Sequence, residues 1–157
     1  MTKKIADIQL PEGYRPDENS DEAYMSPLQR AYFRKLLLDW KRQLIEDAEK
    51  TLSVMYEEKA IFADPTDRAA METDRNFELR TRDRERKLIG KIDRTIEAIE
   101  MDDYGYCEEC GVEIGLRRLE VRPVTDQCVS CKTREEHREK VHRSTEDSYD
   151  EEETTEI

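Results

Sequence analysis

The chain carries its four cysteines as Cys107-Glu-Glu-Cys110 and Cys128-Val-Ser-Cys131, two pairs parted by seventeen residues. Two C-x-x-C knuckles at this separation can fold back on each other and present four sulfurs to one tetrahedral ion. Four thiolates close the coordination shell and leave no position for water or substrate. The chemistry implied is one structural zinc ion held by Cys107, Cys110, Cys128 and Cys131. Gly111 follows the first pair, where such a knuckle often needs a residue that tolerates positive φ. A redox C-x-x-C is the competing reading, but it goes with a βαβ pattern, and none is visible. A pair of disulfides would require an oxidising compartment, and nothing in the sequence suggests export.

Outward from the cysteines, composition limits the fold. Of the 157 residues, 42% are charged and 36% hydrophobic, with five Gly and five Pro. So much charge with so few helix breakers points to long exposed helices and a small globular part. The net charge of −12 is unevenly spread: residues 1–25 account for −3 and residues 144–157 for −7, leaving −2 for residues 26–143. A nearly balanced body has no strong drive toward duplex DNA. No run of about 18 apolar residues suggests a membrane span, and Met1-Thr-Lys-Lys-Ile-Ala-Asp7 lacks the apolar core of a signal peptide. The expectation is a soluble, cytoplasmic protein.

Residues 1–25 contain Pro11, Gly13, Pro16, Asn19 and Ser20 and read as a mobile arm whose Ile5, Ile8 and Leu10 can dock on a partner. Ser26 is a good N-cap, Pro27 suits a first turn and Gln29 completes a capping box, so a long helix starts there. Phe33, Leu37, Trp40, Leu44, Ala48, Leu52 and Met55 recur at steps of three and four, which is one helical stripe. Asp64-Pro65-Thr-Asp67 predicts the cap and first turn of a second helix running to about Met101. Its stripe is Ala70, Phe77, Leu88, Ile92, Ile96 and Ile99.

Two helices of about 35 residues joined by a short turn form an antiparallel coiled-coil hairpin roughly 50 Å long. The fold class expected is therefore mainly α: a hairpin over 26–101 with its tip at 61–69, then a small four-cysteine zinc-finger module with a C-terminal helix over 102–143. Thr133-Arg-Glu-Glu136 reads as the capping box of that last helix, ending near Arg143. The acidic tail over 144–157 reads as disordered.

No nucleophile–base pair or phosphate-binding glycine loop is visible, and His137 and His142 are not needed as ligands, so the chain is not read as an enzyme. Charge is segregated along the hairpin: residues 57–74 hold six acids and two bases, residues 75–94 eight bases and four acids.

Three stretches carry a family resemblance. They are Asp64-Pro-Thr-Asp67-Arg-Ala69, Arg82-Asp-Arg-Glu-Arg-Lys-Leu-Ile89, and Tyr104-Gly-Tyr-Cys-Glu-Glu-Cys-Gly-Val-Glu-Ile-Gly115 with its continuation Leu116-Arg-Arg-Leu-Glu-Val-Arg-Pro123. In this order they resemble the DksA/TraR zinc-finger family, in particular its RNA-polymerase-binding DksA branch, over roughly residues 24–140. The resemblance implies a bacterial regulator that enters the secondary channel of RNA polymerase with its hairpin. It implies destabilisation of open promoter complexes together with ppGpp in the stringent response, with no direct sequence-specific DNA binding. The family's acting tip falls on Asp64, Asp67 and Ala69, with Thr66 where a more apolar residue is usual. Its ppGpp-contacting positions fall on Leu88, Lys91, Arg122 and Lys132.

Two other readings are open to the residues. A transcript-cleavage type of secondary-channel factor would use Asp64 and Asp67 to support a metal ion in the polymerase, but the zinc module is foreign to that class. A zinc-ribbon nucleic-acid binder would carry excess positive charge, whereas residues 107–143 hold eight acids and eight bases.

Overall fold

The computed structural model describes the backbone of residues 5–19, 21–57 and 65–152, and the side chains of residues 5–19, 21–50 and 69–142. The chain divides into two units, Met1–Tyr104 and Gly105–Ile157.

The first unit is built on two long helices, α1 (Pro27–Glu57) and α2 (Pro65–Glu100). Helix α1 starts where its cap chemistry places it. The Ser26 hydroxyl oxygen accepts from the Gln29 N–H at 3.1 Å, and the Gln29 side-chain oxygen accepts from the Met25 N–H at 2.8 Å. The return bond of the capping box thus lands one residue early, because the Ser26 N–H donates to the Ala23 carbonyl. Helix α2 ends in a Schellman turn: the Asp103 N–H reaches the Ala98 carbonyl at 3.0 Å across Asp102, which has a φ of 67°. Asp in place of the usual Gly is tolerated there, since a short polar side chain bears left-handed backbone better than a branched one. The Asp102 carboxylate also pairs with Arg30 of α1.

The two helices run antiparallel, as their cross-links show. Arg34 meets Glu100 at 3.4 Å and Lys41 meets Asp93. Seven residues on α1 are matched by seven on α2, two turns on each. Further along, Arg82 Nη1 donates to the Ala48 carbonyl at 3.2 Å. Between these links lies the apolar seam. Phe33, Leu37, Ile92 and Ile99 are wholly buried, as the stripe at the start of α1 and the end of α2 requires. Tyr104 closes this end, 4% exposed, its ring 5.5 Å from that of Phe33.

Two members of the expected α2 stripe do not join it. Ala70 is exposed and Phe77 is 69% exposed, with Leu79 also outward. Spacing alone extended the stripe past Phe77, whose neighbours one turn away on α2, Thr73, Asp74, Arg80 and Thr81, are all polar.

The segment before α1 has anchors that its Pro and Gly content does not reveal. A 3-10 turn at Ile5–Asp7 lies against α1, and Pro16 and Met25 are buried. The Tyr14 hydroxyl donates to Glu22 at 2.6 Å, and the Ser26 hydroxyl donates to the same carboxylate. Burial pushes the Tyr14 phenol up, and the Glu22 charge adds to the rise. Burial also works against the Glu22 charge, but the bonds from Ser26, Tyr14 and Gln29 prevail and hold its carboxyl below the usual range. The Tyr14 ring packs edge-on against Tyr32, which packs edge-on against Phe33.

The second unit contains the short helix α3 (Leu116–Val121) and the longer α4 (Val129–Glu152). Ile114, Leu116 and Leu119 form its small apolar centre with Cys107, Cys131 and Pro123. Helix α4 corrects two expectations. It begins at Val129 rather than at the Thr133 box, because the Cys128 carbonyl already accepts the Lys132 N–H at 3.1 Å and the second knuckle runs straight into the helix. It also continues past Arg143 to Glu152, since residues 144–152 contain no Gly or Pro to stop it. Residues 153–157 of the acidic tail lie outside the described residues.

The uneven seam is measurable. Phe33→Ala should cost about 3–5 kcal/mol in urea unfolding, as a buried aromatic leaves a cavity. Phe77→Ala should stay within about 0.5 kcal/mol. Equal losses from the two would contradict the seam described.

Candidate metal centre

The first knuckle is shaped by backbone bonds before any ion is considered. The Gly111 N–H donates to the Cys107 carbonyl at 2.8 Å, and the Cys107 N–H to the Val112 carbonyl at 2.9 Å. This tight loop puts Gly111 at a φ of 70°, the conformation its position in the motif calls for. Tyr106 and Glu113 bridge antiparallel beside it, and the Ile114 N–H returns to the Gly105 carbonyl. The second knuckle is attached by Glu108, whose N–H donates to the Asp126 carbonyl at 2.9 Å, and is finished by the first turn of α4. Arg118 of α3 holds the approach to it, its Nε bonded to the Gln127 carbonyl at 3.1 Å.

These bonds bring all four cysteines together. Their sulfurs lie within 4.8 Å of one another, and Cys110 and Cys128 are 3.7 Å apart. A disulfide would need about 2.05 Å, and all four cysteines are free. A regular tetrahedron with Zn–S bonds of about 2.3 Å has edges of about 3.8 Å. The spacing therefore fits a metal ion at the centre. Cys107 and Cys131 are buried, Cys128 is half-buried and Cys110 is exposed.

The thiols disagree about their protons in a way that a dication would resolve. The backbone N–H of Cys128 leads in drawing Cys107 down to about 6, with burial opposing and the N–H groups of Cys110 and Glu109 helping. Cys131 is pushed up, first by burial and then by the three neighbouring sulfurs. At Cys110 the Val112 N–H favours the thiolate, but Cys107 and Cys128 outweigh it and the thiol goes up. Crowded thiolates repel one another, and Zn2+ removes the conflict by replacing their protons. Two charged side chains reinforce the arrangement. Arg134 of α4 bonds Glu109 of the first knuckle at 3.2 Å and points the same Nη2 at the Cys131 sulfur, also at 3.2 Å.

Residues 29–99 match the family described as DnaK suppressor protein DksA, N-terminal domain, and residues 102–137 match the prokaryotic dksA/traR C4-type zinc finger. The chain belongs to the DksA family. Its four cysteines are the ligand set of a C4 zinc finger, and they bind one zinc ion. The RNA polymerase-binding transcription factor DksA of Escherichia coli K12 is 53% identical over 123 residues, covering 78% of this chain and 82% of the relative. The protein of the same name from Haemophilus influenzae is 49% identical over 129 residues, covering 82% and 89%. Transcription factor DksA2 from Pseudomonas aeruginosa, a solved structure, superposes with a TM-score of 0.70 at 39% identity and covers 78% of this chain and 94% of its own. These relatives are named as transcription factors and not as enzymes. Among the described residues no helix is long and apolar enough to cross a membrane.

The remaining residues singled out in the sequence are spread over both units. Leu88 and Lys91 lie one turn apart on α2, half-buried and exposed respectively. Arg122 is the exposed C-cap of α3. Lys132 sits in the first turn of α4 with its ammonium on Glu135 at 2.7 Å, and that bond leads in raising its pKa. Asp67 lies in the first turn of α2 and Ala69 is exposed one residue beyond Arg68, while Asp64 lies outside the described residues. The sequence reading missed α3 and the Glu109–Arg134 contact. The pair stands twenty-five positions apart, and only a fold that closes both knuckles on one ion makes them neighbours.

Purified protein is expected to hold about one zinc per chain. Cys110→Ser should lower that stoichiometry by elemental analysis and loosen residues 105–132. Most of the helical circular dichroism should remain, since α1 and α2 pack through their own seam. An undiminished zinc content in this variant would count against the four-thiolate site.

Proposed function

We propose that this chain is a transcription regulator that binds RNA polymerase. Its hairpin enters the secondary channel, it destabilises open promoter complexes, and it acts with ppGpp in the stringent response. The observation that carries this reading is the presence, in one chain and in order, of the DksA hairpin domain and the C4 finger. They match proteins named for polymerase binding over about four-fifths of the chain.

The physical character of the chain supports the same reading. A hairpin shaft that carries eight bases and four acids over residues 75–94 is suited to a solvated, charged passage rather than to an apolar groove. The zinc module over residues 107–143 holds eight acids and eight bases and the tail after it only acids, so phosphate-backbone binding has no electrostatic drive, and the regulator acts on the polymerase without reading promoter DNA. The tip works through Asp64, Asp67 and Ala69. Asp67 also stabilises the positive end of α2, which is the structural role any first-turn acid would have. Leu88, Lys91, Arg122 and Lys132 supply the alarmone contacts: three cations for phosphate oxygens and one apolar side chain. At Lys132 the phosphates take the place of the Glu135 carboxylate.

Two experiments separate this function from ordinary surface chemistry. Asp67→Asn keeps the size of the side chain and removes one charge, at a cost of about 0.3–1 kcal/mol in helix stability. The folded variant should still bind polymerase yet fail to inhibit a ribosomal RNA promoter in transcription in vitro. Normal inhibition at equal polymerase occupancy would reduce Asp67 to a helix-starting residue.

Lys91→Ala and Lys132→Ala each remove a charge-assisted contact worth about 1.5–3 kcal/mol. Both should bind polymerase normally and lose most of the ppGpp-dependent increment in the same assay. Full potentiation of both variants would refute the alarmone site.

A further inference from the structure

The two knuckles are joined by something besides the metal. Glu109 occupies the second x of Cys107-Glu-Glu-Cys110, and Arg134 follows Cys131 by three residues on α4. The Arg134 guanidinium donates to Glu109 Oε2 at 3.2 Å, and Arg138, one turn further on, approaches Glu109 Oε1 at 3.9 Å. The same Nη2 that holds Glu109 lies 3.2 Å from the Cys131 sulfur. Nη2 carries two protons, one for each acceptor. The carboxylate therefore fixes the fork in the orientation that aims its second N–H at the ligand.

The charge of the site makes this contact consequential. Four thiolates around one Zn2+ leave a net charge of −2, concentrated on the sulfurs. A cationic donor on one sulfur offsets part of that charge and strengthens the hold of the four ligands on the metal. We propose that Arg134, held by Glu109, is a positioning residue of the zinc centre that stabilises the Cys131 thiolate and slows release of the metal. The reading rests on the zinc site already described and not on the polymerase function.

Both partners are partly open to solvent, Arg134 at 62% and Glu109 at 32% of their side-chain surface. As a simple ion pair in that setting they would contribute little. The effect expected is accordingly modest, below the tenfold lower end typical of removed outer-shell partners: about three- to fivefold.

The test uses the full zinc-loaded chain and reads transfer of zinc to a chromogenic chelator. Arg134→Ala and Glu109→Ala should each speed release by about three- to fivefold, and the double variant should be no faster than Arg134→Ala alone. Arg134→Lys should recover part of the slow release, because it keeps the charge without the fork. In the Co2+-substituted protein, Arg134→Ala should shift the thiolate-to-metal charge-transfer band to lower energy, as a sulfur relieved of its donor gives up electrons more easily. A merely structural ion pair would not move that band. Unchanged release rates in both single variants, or an unmoved band, would overturn the proposal. So would effects of Glu109→Ala and Arg134→Ala that simply multiply in the double variant.

Discussion

Four sulfurs within 4.8 Å of one another cannot all be charged without a cation among them, and the second unit depends on that constraint. Its apolar centre amounts to Ile114, Leu116, Leu119 and Pro123 around two of the cysteines. A core so small cannot offset the entropy of ordering the loops that surround it. The metal supplies what the core lacks, and does so most effectively if the knuckles are already close to their final shape. The backbone bonds from Gly111 and Cys107 and the left-handed turn at Gly111 shape the first knuckle, while α4 shapes the second. What zinc adds is the closure between two nearly finished halves.

The first unit solves a different problem. A long hairpin has a seam rather than a centre, and here the seam is concentrated where Phe33, Leu37, Ile92 and Ile99 meet. Polar links flank it at Arg34–Glu100 and Lys41–Asp93 and continue past it to Arg82 on the Ala48 carbonyl. Exposed pairs of this kind add little stability. Their use is register: seven residues on one helix answer seven on the other, and a slip by one turn would part every pair at once. Stability and alignment are thus assigned to different residues. The mid-shaft of α2 is left free to be basic, with Phe77 and Leu79 turned outward.

Legibility in the sequence followed the range of the interactions involved. The Ser26 cap, Pro65 as the first residue of α2 and the turn at Gly111 are local, and each was readable from a few adjacent residues. The buried quartet was readable because helical spacing and burial agree there. Spacing misled at Ala70 and Phe77, where periodicity continues but packing does not. The start of α4 misled for the opposite reason: a good capping box at Thr133 competes with a knuckle that has already turned helical at Val129, and the earlier nucleus wins. Helix α3 was hidden by its length, since six residues give less than two turns of pattern. The contacts of Tyr14 with Glu22 and of Glu109 with Arg134 are products of tertiary closure, and no local signal announces them.

The N-terminal segment shows how such closure ties a polar region to the apolar seam. Glu22 accepts from Tyr14 and from Ser26, and Ser26 in turn caps α1 through Gln29, itself only 1% exposed. The Tyr14 ring leans on Tyr32, Tyr32 on Phe33, and Phe33 on Tyr104 just beyond the Schellman turn that ends α2. Taking a carboxylate partly out of water is costly unless its acceptor sites are filled, and here the donors that fill them also fix the first turn of α1. The cap, the arm and the end of α2 therefore share one set of contacts around Phe33. The beginning of one helix and the end of the other are held together by side chains from a segment that belongs to neither.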